Sequence, residues 1–103
     1  MQEKSYVIEI SHLDDGRMKL ADIKTKVTIT NSPNTLNTYG IFATIIILET
    51  LRNEFSNIVI DFQINVQNNL AAIVSAIKLG HKNIIFDEDY LSSNQIDLTK
   101  YLS

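Results

Sequence analysis

The sequence predicts a small α/β domain, and three observations carry that prediction. Two short, continuously apolar runs, Asn57 to Phe62 and Asn83 to Phe86, have the composition of strands buried on both faces. Between them Val66, Leu70, Ile73, Val74 and Ile77 recur at the spacing of one helix face, so strand, helix and strand form a βαβ unit with parallel strands. Near the start of the chain, apolar and polar residues alternate with period two, as in strands with one wet face. At 103 residues the chain has the length of one domain, 1–103, and it contains no repeat or linker.

The elements follow in order. Tyr6, Ile8 and Ile10 face one way in a first strand, and Asp14-Asp15-Gly16 is a turn signal because Gly accepts positive φ. Arg17 to Leu20 then pairs back, and alternation resumes with Ile23, Val27 and Ile29 against Lys24, Lys26, Thr28 and Thr30. This predicts an N-terminal antiparallel β-hairpin. At Asn31 to Thr35 the pattern breaks: Ser32 suits a helix cap, and Pro33 suits the first turn, where its missing N–H costs nothing. Ile45-Ile46-Ile47 would suit a strand. Against that, Leu36, Tyr39, Ala43, Ile46, Ile47 and Leu51 stand at helical spacing, and Leu36 to Phe55 is too long for a strand, so a helix is predicted there. After the 57–62 strand, Asn65 is the expected cap of the next helix and Gly80 its left-handed terminus, with Lys78, His81 and Lys82 near the negative end of the dipole. Ser92-Ser93-Asn94 caps a short final helix with Ile96 or Leu98 and Tyr101-Leu102 turned inward. The expected architecture is thus the hairpin followed by α-β-α-β and a short C-terminal helix, on a mixed sheet with a parallel βαβ unit.

Composition narrows the function classes. Nine basic residues against twelve acidic ones give a net charge of −3, without the cationic footprint that displaces counterions from phosphates, so no nucleic-acid partner is expected. The absence of cysteine excludes disulfides, a thiolate nucleophile and a cysteine zinc site. The start, Met1 to Ser5, is polar with no apolar signal core after it. The longest apolar run, Ile41 to Leu48, falls far short of the roughly 20 residues of a membrane span. A cytoplasmic protein with no membrane partner is the expectation.

Candidate chemistry gathers where parallel strands end, since ligands favour the crevice outside their carboxyl ends. One such end carries Asp61 and Gln63, the other Asp87, Glu88 and Asp89. If they converge, Asp61, Asp87, Glu88 and Asp89 offer oxygen ligands to a hard cation such as Mg²⁺; otherwise they are solvated loop residues. The amides Gln67, Asn68 and Asn69, opening the second helix, could bind a small polar ligand together with Asp61 and Gln63, or simply water. His12 with Asp14 and Asp15 resembles a metal cluster by residue type only, and His81 has a plain role at a helix end. No nucleophile elbow is present, and the loop after the apolar strand has no glycine to cradle a pyrophosphate. No catalytic residues and no cofactor are assigned. The segment Ile41 to Leu48 carries more apolar surface than one sheet face covers easily, which makes Ile41, Ile45, Ile47 and Leu48 candidate interface residues if they are not core.

Over Asn57 to Phe86, the order of apolar strand, helix rich in small residues and strand loosely resembles the STAS domains of anti-sigma-factor antagonists. The resemblance implies a phosphorylatable Ser or Thr in the loop opening the helix; here Gln67-Asn68-Asn69 stands in that place, without a hydroxyl. The expected function is a small non-enzymatic protein-binding or regulatory module, self-associating as a homodimer. The alternative is a divalent-metal-dependent enzyme or small-ligand binder built on the strand-end carboxylates.

Overall fold

Strands and helices alternate along the chain in the computed structural model, which describes residues 6–87. The elements are β1 (Tyr6–Ile10), α1 (Leu13–Ala21), β2 (Val27–Asn31), α2 (Pro33–Glu54), β3 (Val59–Gln67), α3 (Leu70–Lys78) and β4 (Ile84–Phe86). The four strands form one sheet in the order β1-β2-β3-β4, and every pair is parallel. The predicted α/β class and the parallel βαβ unit, here β3-α3-β4, are both present.

The N-terminal hairpin and the mixed sheet are not. Asp14 and Asp15 fall in the first turn of a helix, where carboxylates sit favourably against the dipole. His12 caps that helix, its Nδ1 accepting from the Asp15 N–H at 3.1 Å, while Asp15 Oδ2 accepts from the Ser11 N–H at 2.9 Å. Gly16 is needed for contact rather than for a turn: a Cβ there would collide with Leu51 Cδ1 and press on Ile10 Cγ2 at 3.1 Å. With α1 intervening, β1 and β2 lie parallel, Ile8 opposite Ile29. The predicted C-terminal helix, Ser92 to Leu102, lies outside the described residues.

The first turn of α2 follows the sequence closely. Ser32 Oγ accepts from the Thr35 N–H at 3.2 Å, and Pro33 occupies the first turn. The helix is broken at Gly40 (φ 84°, ψ 172°), a conformation strained for any residue with a Cβ, and Thr44 Oγ1 donates to the Gly40 carbonyl at 2.7 Å. The next strand runs past its predicted end, so Asn65 lies within β3. The cap of α3 is Asn69, whose side chain accepts from the Ala72 N–H at 3.0 Å. Gly80 (φ 88°) ends α3 as expected, with the Gly80 N–H donating to the Ile77 carbonyl at 2.9 Å and the His81 N–H to the Ala76 carbonyl at 3.1 Å.

A strand order that never reverses, with right-handed connections, puts all crossover helices on one face. The core agrees: Ile10, Val27, Ile29, Phe62, Ile64 and Val66, at one parity of their strands, join Leu20, Leu48, Leu51 and Ile73 from the three helices in a single cluster. The other parity presents Val7, Glu9, Thr28, Thr30, Gln63, Asn65 and Ile85 on the opposite face.

Candidate functional site

All four carboxyl strand ends share one edge of the sheet, and polar side chains organise it. At Ser32 the chain leaves β2 for α2, while neighbouring β3 continues to Gln67. Backbone pairing between the two ends at Thr30 and Gln63. Beyond it the Asn31 side chain stands in for the missing strand: Oδ1 accepts from the Asn65 N–H at 2.8 Å, and Nδ2 donates to the Asn65 carbonyl at 2.9 Å and the Ser32 carbonyl at 3.0 Å. Asn31 is 1% exposed. Thr35 ties the same edge to β1, its hydroxyl 2.7 Å from the Ser11 carbonyl and 2.8 Å from Ser32 Oγ. Asn31 lies at the same strand parity as Val27 and Ile29. An amide where the pattern calls for an apolar residue is the sequence sign that could have exposed this clamp.

Beside it, Asn65, Gln67, Asn68, Ile85, Phe86 and Asp87 line an open cleft of about 360 Å³. Gln67 has φ 47°, a left-handed conformation for a residue with a Cβ, and its carbonyl accepts from the Asp87 N–H at 2.9 Å. Among the described residues, two buried oxygens have no hydrogen-bond partner, Asn65 Oδ1 and Thr30 Oγ1, both on the sheet face away from the core. Among the described residues, amide groups dominate this lining and Asp87 is the one carboxylate, so the cleft is suited to hydrogen-bonding a small polar group. A sheet whose order runs without reversal also has no topological switch point, where α/β sheets form their deeper crevices.

The predicted residues divide accordingly. Gln67, Asn68 and Asn69 do sit at the carboxyl edge, and Asn69 is occupied as the cap of α3. Gln63 lies inside β3, opposite Thr30. Asp61 is near the other end of β3, Oδ1 accepting from the Phe62 N–H at 2.8 Å and Oδ2 from Asn83 Nδ2 at 3.1 Å. Six residues of strand separate Asp61 from Gln67, about 20 Å, so Asp61 and Asp87 do not converge on one cation. Glu88 and Asp89 lie outside the described residues, and among the described ones no group of three potential ligands forms a metal site. His12 and Asp15 are engaged as helix-start partners, and Asp15 also pairs with Lys19 at 3.1 Å. The Ser11 N–H, then Lys19, hold the Asp15 carboxyl below its ordinary range.

The apolar segment is also redistributed. Leu48 (0% exposed) and Ile45 are core residues, while Ile41 and Ile47 pack half-buried against that core. The surface is carried instead by Phe42 (62% exposed) and Ile46 (61%), one helical turn apart on α2. Tyr39, also exposed, lines a groove of about 500 Å³ with His12, Leu13, Asp14 and Ile47.

No helix among the described residues is long and apolar enough to cross a membrane. No family model matches the chain, and no solved structure matches it, so the likeness to STAS domains remains one of element order. The chain is similar to the uncharacterized protein RP547 of Rickettsia prowazekii (strain Madrid E), 35% identical over 82 residues that cover 80% of this chain and 77% of that protein. With identity and coverage at that level, the chain belongs to the same family as this rickettsial protein.

Proposed function

We propose that the protein is a small, non-enzymatic cytosolic binding module that self-associates through the outward face of α2. One observation carries this reading. No charged residue occurs between Lys26 and Glu49, and inside that stretch Phe42 and Ile46 each expose about three-fifths of their surface. Depletion of charge around exposed aromatic and aliphatic side chains is the compositional mark of an interface centre. A second copy of the chain fits because an uncharged patch meets itself without repulsion, although the whole chain carries −3. Two antiparallel α2 helices related by a two-fold axis would bring Phe42 of each against Ile46 of the other.

The patch is small. Large side chains bury about 150–250 Å² each, and a standard interface buries about 800 Å² per partner, so the association is weak and concentration-dependent. Light scattering over a hundredfold concentration range tests it. The mass rises from 11.7 kDa towards twice that value in the native chain and stays at 11.7 kDa in Ile46→Lys and Phe42→Ser. A native chain that remains monomeric at the highest concentration overturns the reading.

A further inference from the structure

At the opposite, amino end of the sheet, Arg52, Asp61, Phe62, His81, Lys82 and Asn83 line a second cleft of about 320 Å³. Its base is an aromatic stack. The Arg52 guanidinium carbon lies 4.8 Å from the centroid of the buried Phe62 ring, and the His81 ring contacts the same phenyl at 5.8 Å, tilted by 51°. Such stacking fixes the plane of a guanidinium while leaving its edge free to donate.

Arg52 makes no hydrogen bond or ion pair with any described residue, and the arrangement around it explains why. Glu49 lies one turn before it on α2, the usual place for an i,i+3 pair, yet Glu49 Oε1 is directed to His81 Nε2 at 4.0 Å. The oxygens of Asp61 are committed to the Phe62 N–H and the Asn83 amide. Arg17 shows the other outcome in the same chain: it forks onto Glu54, Nε to Oε2 at 2.9 Å and Nη2 to Oε1 at 2.6 Å. Two carboxylates thus stand within a turn or a strand of Arg52 and neither pairs with it. Meanwhile the guanidinium is half-buried against a ring, and the exposed Lys82 adds a second positive charge at the rim.

We infer that this cleft binds a small carboxylate, with Arg52 receiving both oxygens through its fork as Arg17 does with Glu54, and Lys82 supporting it by charge. A planar carboxylate matches the paired N–H groups of a fixed guanidinium. Its source can be a free organic acid or the C-terminal carboxylate of a peptide.

The test is a titration of the full ¹⁵N-labelled chain with sodium acetate, read on the backbone amides of Phe62, Gly80, His81 and Asn83, with sodium chloride at matched ionic strength as the reference. A short peptide is titrated in free-acid and C-terminally amidated forms to separate the two sources. Expected are saturable shifts confined to this cleft with acetate, and shifts with the free-acid peptide only if peptide ends are the source. Arg52→Lys keeps the charge but loses the fork, and weakens binding about tenfold or more. Because Arg52 also covers Phe62, Lys82→Glu at an exposed position is the second variant, and it weakens binding without altering the fold. Shifts that rise linearly, that chloride reproduces, or that persist unchanged in both variants overturn the assignment. So does phosphate binding about tenfold more tightly than acetate, since the carboxylate class would then be wrong.

Discussion

Two polar clusters of the sheet, the clamp where β2 ends and the cleft at the amino end, use their side chains in opposite ways. At the carboxyl end Asn31, Ser32 and Thr35 are buried and turned onto neighbouring backbone, closing the gap where β2 gives way to α2 while β3 continues. At the amino end the polar side chains are longer and more exposed, and the Arg52 donors reach no described partner. Polar groups that finish the architecture have little capacity left for a ligand, whereas a cation held against a ring keeps its own. Parallel α/β sheets commonly bind at the carboxyl end, where reversal of strand order opens a crevice. Without a reversal that advantage weakens, and idle donors become the better guide to a binding site.

Breaking the carboxyl-end clamp should have the largest effect. Asn31→Ala leaves the Asn65 N–H and carbonyl without their partner in a buried setting, and is expected to cost about 2–4 kcal/mol. Asn83→Ala, which removes an exposed amide at the amino end, is expected to cost under about 1 kcal/mol. Urea unfolding of the two variants measures the contrast. Equal losses would mean that the two ends do not differ in the way their burial suggests.

What the sequence revealed followed the strength of its periodicity. The β3-α3-β4 unit was legible because α3 has a clean apolar face ended by Gly80 and short apolar runs stand on either side of it, although β3 itself alternates with polar residues from Asp61 to Gln67. By contrast, α1 was invisible: it is nine residues long, is held inward by Leu13, Gly16 and Leu20, and contains an Asp-Asp-Gly string that reads as a turn. The end of β3 was misplaced because Asn65 has the chemistry of a cap, and it is the three-dimensional neighbours, Asn31 on one side and β4 on the other, that keep it extended. Within α2 the helix is legible and the break at Gly40 is not; of the residues left open between interface and core, Ile45 and Leu48 are core, and the exposed surface belongs to Phe42 and Ile46. Arg52 was legible only as a polar helix position, because its idleness depends on where Glu49 and Asp61 turn.

A middle-sized effect tests how α1 is seated. Replacing Gly16 by Ala should raise helix propensity by about 1 kcal/mol, a gain opposed by overpacking of about 1–3 kcal/mol against the fully buried Leu51. A net loss of up to about 2 kcal/mol is expected, and Leu51→Ala in the same background should recover part of the steric loss. A stabilised Gly16→Ala chain would show that α1 can slide away from α2, loosening the half of the molecule whose hairpin prediction failed.

The smallest effect concerns the exposed charges that join those helices. Arg17 forks onto Glu54 across α1 and α2, and this hydrogen bond holds the Glu54 carboxyl below its ordinary range and raises the Arg17 pKa. A carboxyl with a depressed folded pKa releases its proton more readily in the folded chain. The unfolded chain therefore binds more protons in the acid range, and the contribution is present above the ordinary carboxylate pKa and lost as pH falls through the depressed one. The Asp15 carboxyl adds in the same direction. The difference in urea midpoint between the native chain and Glu54→Gln should thus be small at neutral pH, shrink further with added salt, and vanish once the pH has fallen through the depressed carboxyl pKa. A gap that survives acid would mean that the protonated Glu54 carboxyl still makes a bond the amide cannot, and the contact between α1 and α2 would then not rest on charge.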